Sequence, residues 1–440
     1  METQINQTPN VANDDKKTNQ KPRIGLKLLI IGLICMLLLI PWFMIKSLIS
    51  ERQNTANEAG SEVSAKWGGW QAVAGPAIAL PDTTYGSIYL MPETLDINGH
   101  VETRNLKRGI YDFTVFGTTL ELNGEFRLSD SHLKRLLNDG ATVAIGLNST
   151  KGLTDNPVVE ICGTTLVDGV RYENGSIICD LPADLIDADG VVTYHISLPL
   201  RGSDRLDFVP VGRTTNVSLS SDCPTPSFGG NFLPAEREVT DTGFTAHWRV
   251  LAINRSFSQV ISRNRWEKLT NEEGGQFYYE SESRSNFGVE LRTPVEQYLQ
   301  SERAVKYAYI IVLLTFGVVF FVEIRKAKPI HPVQYALIGL AIMLFYTLLL
   351  SFSEQMSFLL SYIIASVMTV GLITANIAGI LRTPKTALPI GLALSALYVF
   401  IYILLQIESY ALMIGSVGLF VIIGVSMYAS RHINWYGSEK

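Results

Sequence analysis

LLIIGLICMLLLIPWFMI, running from Leu28 to Ile45, holds no charged residue and is flanked by Lys27 and Lys46. A helix needs about 20 consecutive apolar residues to cross the hydrocarbon layer, and long lysine stems let the flanking ammonium groups reach the headgroups. The cores of cleaved signal peptides are shorter, about 7–15 residues, and no small-residue cleavage motif follows Ser50. The segment therefore reads as an uncleaved anchor, with a kink expected at Pro41.

Outward from this anchor the chain divides in two. Val333 to Ala429 is a stretch of 97 residues with four charges, Glu354, Arg382, Lys385 and Glu408, whereas Glu51 to Lys306 has the mixed polarity of a globular domain. Over all 440 residues, 47% are apolar and 18% charged, against about 25% charged in an average protein. The net charge is −5 and the polar segment has no Lys/Arg cluster. Nucleic acid is thereby excluded as a partner, because phosphate binding needs a basic surface. Membrane lipids are the partner the composition implies.

Five further apolar runs, about residues 304–323, 333–351, 357–380, 387–405 and 410–429, each approach the length of a crossing. Lys and Arg near short loops stay cytoplasmic. Lys16, Lys17, Lys21, Arg23 and Lys27 precede the first span, Arg325, Lys326 and Lys328 follow the second, Arg382 and Lys385 follow the fourth, and Arg431 and Lys440 follow the sixth. The opposite loops, around Glu354 and Glu408, have neither residue type. Both termini are thus expected in the cytoplasm of a multi-pass inner-membrane protein. The expected division is a disordered tail over 1–24, a transmembrane helix over 25–49, a periplasmic β-rich domain over 50–306, five transmembrane helices over 307–430 and a cytoplasmic tail over 431–440. The fold class is a mixed membrane protein: one N-terminal transmembrane helix, a large periplasmic sandwich-like β domain and a C-terminal five-helix bundle.

Within residues 50–306, Glu51–Lys66 reads as a polar helical stalk. Short alternating runs follow, such as Ala72–Leu80, Ile110–Phe116, Thr119–Arg127 and Val191–Leu198. Asn98-Gly99, Asn123-Gly124 and Asn174-Gly175 carry the chemistry of tight turns, and together these signals predict a sandwich of two antiparallel sheets. In GFTAHWRV, Gly243 to Val250, alternation puts Phe244, Ala246, Trp248 and Val250 on one face and His247 on the solvent side. One helix is expected inside the domain, Ser129–Leu137 with Ser129 as N-cap. Another, Pro294–Arg303, leads into the second span. Cys162 and Cys179 bracket an apparent hairpin outside the reducing cytoplasm and are candidates for a disulfide, leaving Cys223 free; the alternative is three buried thiols.

No phosphate-binding loop, dinucleotide fingerprint, nucleophile elbow, paired-histidine zinc motif or calcium loop is present in the sequence. No catalytic, cofactor or metal residue can be named, and a non-enzymatic role is expected. In the membrane part the candidate functional residues are Glu354, Ser353 and Tyr346, because ionisable groups near membrane depth are costly and often functional. The alternative for Glu354 is a solvated headgroup position. Glu323 has the same two readings at the cytoplasmic end of the second span, a functional carboxylate or an ion pair with Arg325 or Lys326. Gly371, Ala375 and Gly379, at intervals of four, read as a helix-packing seam, with Asn376 as an interhelical hydrogen-bond partner.

Several longer stretches, PSFGGNFLPAEREVTDTGFTAHW (Pro226–Trp248), SERAVKYAYIIVLLTF (Ser301–Phe316), HPVQYALIGLAIMLFYTLLLSFSE (His331–Glu354) and NWY (Asn434–Tyr436), resemble the CreD family of inner-membrane proteins. GPAIALP (Gly75–Pro81) and RNLKRGIYDFTVF (Arg104–Phe116) extend the resemblance over nearly the whole chain after the first span. It implies a Gram-negative inner-membrane protein with a periplasmic domain, expressed under a two-component system and linked to envelope integrity and to colicin or antibiotic tolerance. It supplies no catalytic residues. Where the family pattern suggests a Glu-His pair, this chain has Glu354-Gln355. The leading expectation is a periplasmic domain that binds an envelope protein or peptidoglycan-related component. The alternative is a small-solute or proton-linked transporter with Glu354 in its pathway.

Overall fold

The computed structural model describes residues 24–166, 169–173, 175–187, 189–270, 286–291, 296–326, 329–382, 384–407 and 410–431. The expected terminal tails up to residue 23 and from 432, together with Asn174, Pro294, Lys328 and Glu408, lie outside the described residues. The chain forms two compact units, one of Met1–Arg52 with Gln297–Lys440 and one of Gln53–Glu296.

The first span and the stalk are α1 (Ile24–Leu37) and α2 (Leu39–Trp67). They part at Leu38 because Pro41 has no N–H to give the Leu37 carbonyl, four residues back. The bonds Leu38 N–H to Ile34 O at 3.0 Å and Trp42 N–H to Leu38 O at 3.2 Å bridge the interruption.

The second unit continues with β1 (Gln71–Asp82), β2 (Gly86–Leu90), β3 (Thr94–Arg108), β4 (Tyr111–Arg127), α3 (Asp130–Asp139), β5 (Ala141–Leu147), β6 (Val158–Ile161), β7 (Thr164–Thr165), β8 (Arg171–Glu173) and β9 (Ser176–Leu181). It is completed by β10 (Val191–Ser203), β11 (Arg205–Val209), β12 (Thr214–Ser221), β13 (Ser227–Gly230), β14 (Glu236–Thr240), β15 (Gly243–Leu251), β16 (Val260–Ser262), α4 (Arg263–Thr270) and β17 (Phe287–Glu290). Among the described residues the strands make a nine-stranded and an eight-stranded sheet, the latter in the order β14-β15-β12-β3-β4-β10-β6-β7. Inward-facing residues of both sheets share one core, among them Val73, Ile78 and Phe208 with Ile97, Leu122, Ile196 and Trp248.

The sandwich is not purely antiparallel, since β1 pairs with β11 in parallel and β3 with β12 in parallel. The first parallel strand, β1, is buried over most of its length on both faces, as its near-continuous apolar sequence requires. Helices α3 and α4 pack on the nine-stranded sheet. Tyr89 of β2 stacks on Trp266 of α4 at 4.9 Å, whose indole N–H donates to Ser176 Oγ at 2.9 Å. Ser129 caps α3 as expected, accepting from the His132 N–H, and Gly140 ends it at φ +78°.

Two of the three turn dipeptides lie within long strands instead. Asn98-Gly99 pairs with Glu121 and Leu120 in the middle of β3·β4, and Asn123-Gly124 pairs with Asp96 and Leu95. Both glycines are there because of crowding. A Cβ on Gly124 would lie 2.0 Å from the Thr94 carbonyl oxygen, and one on Gly99 would lie 2.6 Å from Leu120 Cδ2. The reversal falls at Gly109, φ +63°. For the third dipeptide, Glu173 pairs with Ser176 across a two-residue connection that contains Gly175 at φ +75°.

The remaining helices are α5 (Glu296–Lys306), α6 (Ala308–Lys326), α7 (Pro332–Ser353), α8 (Phe358–Leu381), α9 (Pro384–Gln406) and α10 (Ala411–Ser430). Among the described residues the N-terminal helix and α6 to α9 are long and apolar enough to cross a membrane, while the apolar run of α10 is Met413–Val425. Among the described residues nothing packs closely on the expected seam of α8. A Cβ on Gly371 or Gly379 would meet nothing within 4 Å, and Ala375 is exposed. The crowded positions are Gly339, Gly391 and Gly418, where an added Cβ would fall 2.3 Å from Leu38 Cδ1, 2.7 Å from Thr374 Oγ1 and 2.2 Å from Phe400 Cζ. Asn376 does reach a neighbouring helix, donating to Gln334 Oε1 at 3.1 Å.

Candidate functional site

In the helical unit two carboxylates organise the polar contacts. Glu323, near the end of α6, is 6% exposed. Its carboxylate accepts from Lys27 Nζ, from the Ile330 N–H at 3.1 Å and from the Tyr335 hydroxyl at 2.8 Å. Lys27 also donates to the Ile330 carbonyl at 2.9 Å, so its ammonium turns into the helical unit. The expected partner Arg325 is exposed, because residues two apart on a helix face different directions; the Lys326 side chain lies outside the described residues.

Glu354 is the C-cap of α7, and its side chain is 13% exposed. It accepts from the Tyr298 hydroxyl of α5 at 3.2 Å, with Arg52 Nε of α2 at 4.0 Å. Ser353 is turned back on its own helix, donating to the Leu350 carbonyl at 2.9 Å. Tyr346 is buried in the bundle with its ring edge-on to Phe345 at 4.9 Å. The three candidates are therefore not one cluster. Lys27 and Arg52 stand 25 residues apart, roughly 38 Å along a helix at 1.5 Å per residue, close to a bilayer's thickness of about 40 Å with its headgroups. Among the described residues, a charged pair thus lies near each end of the N-terminal helix, Lys27 with Glu323 and Arg52 with Glu354. The Lys27–Glu323 pair was legible only by matching charges expected at the same membrane face.

In the β-rich unit, alternation turns one face of the eight-stranded sheet outward. Register places Arg249, Asn216, Asp96, Asn123 and His195 in one row across five strands, and His247, Ser218, Asn98, Glu121 and Ser197 in the next. Neighbouring side chains hydrogen-bond: Asn216 Nδ2 donates to Asp96 Oδ1 at 2.7 Å and Ser197 Oγ to Glu121 Oε1 at 2.8 Å. His195 Nδ1 lies 2.7 Å from Asn123 Oδ1, and His247 Nδ1 lies 2.9 Å from Ser218 Oγ. His247 is exposed, as alternation requires. Among the described residues no three His, Cys, Asp or Glu are grouped to hold a metal. The chemistry this face offers is hydrogen bonding over a polar surface.

Two features lie elsewhere in this unit. A pocket of about 190 Å³ is lined by Ala65, Gly68, Gly69, Trp70, Asn148, Ser149 and Lys151 at the end of α2. On β11, Asp207 is fully buried, 2.6 Å from Arg205 Nε and 3.3 Å from Asn286 Nδ2. Burial pushes its carboxyl up to about 6 against the pull of Arg205.

The expected disulfide is absent. Cys162 and Cys179 are both free thiols, one exposed and one buried, and Cys223 is free and buried. Cys162 occupies the β6–β7 turn at φ +49°, whereas Cys179 is on β9 of the other sheet, so the two do not bracket one hairpin. Burial pushes the Cys179 thiol up to about 11.

The sequence model of the family described as inner membrane protein CreD matches residues 23–436. The chain belongs to the CreD family. A relative in Escherichia coli (strain K12), described as inner membrane protein CreD, is 30% identical over 424 residues, covering 91% of each chain. A CreD-family chain with several membrane-length apolar helices is a multi-pass inner-membrane protein. The match from 23 to 436 takes in both charged pairs and the polar sheet face.

Proposed function

We propose that this CreD-family protein is a non-enzymatic guardian of envelope integrity, contributing to tolerance of colicins and antibiotics. In this reading both termini are cytoplasmic and residues 50–306 are periplasmic. The β-rich unit binds an envelope component, a protein or a peptidoglycan-related polymer, on the outer face of its eight-stranded sheet.

The observation that carries the reading is that face. Two adjacent rows over five strands contain only polar side chains, eight of them joined in four hydrogen-bonded pairs. A partner would meet oriented amides, hydroxyls, imidazoles and carboxylates with little ordering entropy left to lose. Orientation is supported by the basic residues that flank the apolar runs.

Site-specific photo-crosslinking from Asn98 in living cells tests the reading. An envelope protein or glycan adduct is expected, and it should be lost when Ser218→Arg is introduced beside it. No adduct from Asn98, with efficient adducts to the same component from the opposite sheet, would contradict it.

A second reading, a proton-linked transporter, rests on Glu354 and its bond from Tyr298. Retained envelope protection by Glu354→Gln at matched expression counts against it.

A further inference from the structure

The stalk helix α2 ends in a sharp reversal. Gly68 and Gly69 take φ +137° and +71°, and both of their N–H groups return to the Ser64 carbonyl, at 3.1 and 2.7 Å, a common way for helices to close on glycine. No larger residue fits the first position: a Cβ on Gly68 would lie 2.9 Å from the Arg201 carbonyl oxygen and 2.9 Å from Gly152 Cα. The chain then leaves through Trp70, whose carbonyl accepts from Asn148 Nδ2 at 2.9 Å, while Asn148 Oδ1 accepts from the Ala72 N–H at 2.8 Å. These bonds fix the reversal beside the turn that follows β5, and the pocket of about 190 Å³ is lined from both.

The two sides of this pocket differ in charge. On the β5 side stand donors. Lys151 contributes an ammonium, and no carboxylate is among the lining residues. Ser149 precedes the short helical turn Thr150–Gly152, and its hydroxyl does not cap that turn. Asn148 is held by its two bonds and has a second amide N–H beyond the one given to Trp70. On the other side Ala65, with Gly68 and Gly69 just past it, marks the carbonyl end of α2, where the helix dipole is equivalent to roughly half a negative charge. Trp70 adds an apolar wall. The volume is that of about six waters at ~30 Å³ each, below the ~300 Å³ at which drug-sized ligand sites begin.

We propose that this pocket binds a small zwitterion of amino-acid size, with an ammonium and a carboxylate on one short carbon frame. The carboxylate is taken by Lys151 Nζ, Ser149 Oγ and the remaining Asn148 N–H, and the ammonium faces the carbonyl end of α2. A bare anion would meet the wrong end of the helix dipole, and a bare amine would meet Lys151, so the pocket selects against each half alone. None of these residues is on the eight-stranded sheet, and the site stands apart from the partner binding proposed above.

Ligand-observed saturation-transfer NMR on the full-length protein in nanodiscs tests the site, with L-alanine as probe and with acetate and methylammonium as its two halves. L-alanine should give a saturable signal with a Kd in the millimolar range or below, and neither half at the same concentration should displace it. Lys151→Met should weaken binding about tenfold or more, the loss expected for a hydrogen bond to a charged group, and Ser149→Ala should weaken it a few-fold. Neither residue is buried, so both variants should keep the wild-type melting temperature when no probe is present. An L-alanine signal that does not saturate, that is unchanged in Lys151→Met, or that either half displaces as well as L-alanine itself overturns the proposal.

Discussion

The Tyr335 hydroxyl donates to Glu323 at 2.8 Å, and the Lys27 ammonium takes the other carboxylate oxygen, joining α1, α6 and α7 at one point. Deleting one member strands a buried charge, at a cost of about 3–5 kcal/mol. Glu323→Leu should therefore lower the melting temperature of the detergent-solubilised protein severely. Lys27→Met combined with Glu323→Leu should recover much of that loss, because no charge is then left unpaired. Additive losses would show that the two residues act separately.

Gly117 and Gly124 share β4 but answer differently to alanine. A Cβ on Gly117 meets nothing within 4 Å, whereas one on Gly124 falls 2.0 Å from the Thr94 oxygen and 2.5 Å from the Tyr194 hydroxyl. Gly117→Ala should be neutral or stabilise by about 0.5 kcal/mol. Gly124→Ala should destabilise by about 2 kcal/mol or more. Thermal unfolding followed by the β-sheet circular-dichroism signal distinguishes them.

Cys162 is exposed and Cys179 and Cys223 are buried. Without reductant, a maleimide that crosses the outer but not the inner membrane should label Cys162 in intact cells, and the other two should label only after denaturation. The burial that raises the Cys179 thiol to about 11 also keeps it unreactive. Labelling of Cys162 only after cell lysis would place the β-rich unit in the cytoplasm, and labelling only after reduction would restore the disulfide.

Asp207 gives the β-rich unit a pH dependence of definite sign. Its carboxyl is raised from 3.8 to about 6 in the folded state, so the native protein binds the extra proton between those values. The stabilisation is fully present below pH ~4 and is lost as pH rises through about 6, a change of about 3 kcal/mol. Unfolding scans at pH 4, 5 and 7 should show the loss in the wild type and a flatter profile in Asp207→Asn. Equal slopes would remove Asp207 as the cause.

The features legible in the sequence were those with local causes. Alternation placed Trp248 inward and His247 outward because a strand repeats every two residues, and Ser129 announced α3 because its side chain satisfies a nearby N–H. The membrane helices followed from uninterrupted apolar length. What escaped has long-range causes. Asn98-Gly99 has turn chemistry, but its glycine answers to Leu120 on the next strand, and Glu323 answers to Lys27, 296 residues away in sequence. Likewise Gly339 packs on Leu38, while a Cβ on the regularly spaced Gly371 or Gly379 would meet nothing within 4 Å among the described residues. Of the candidate site, Glu354 was found by its charge, but its partners Tyr298 and Arg52 carry no local signal.

The most direct measurement is envelope-stress and colicin survival of a deletion strain carrying wild type, Glu354→Gln, or the sheet-face variant Asn98→Arg with Ser218→Arg, all at matched expression and with the fold checked by melting temperature. Recognition by the β-rich face predicts that wild type and Glu354→Gln protect the cells and the face variant does not. Protection by the face variant together with failure of Glu354→Gln would contradict it and move the function into the membrane.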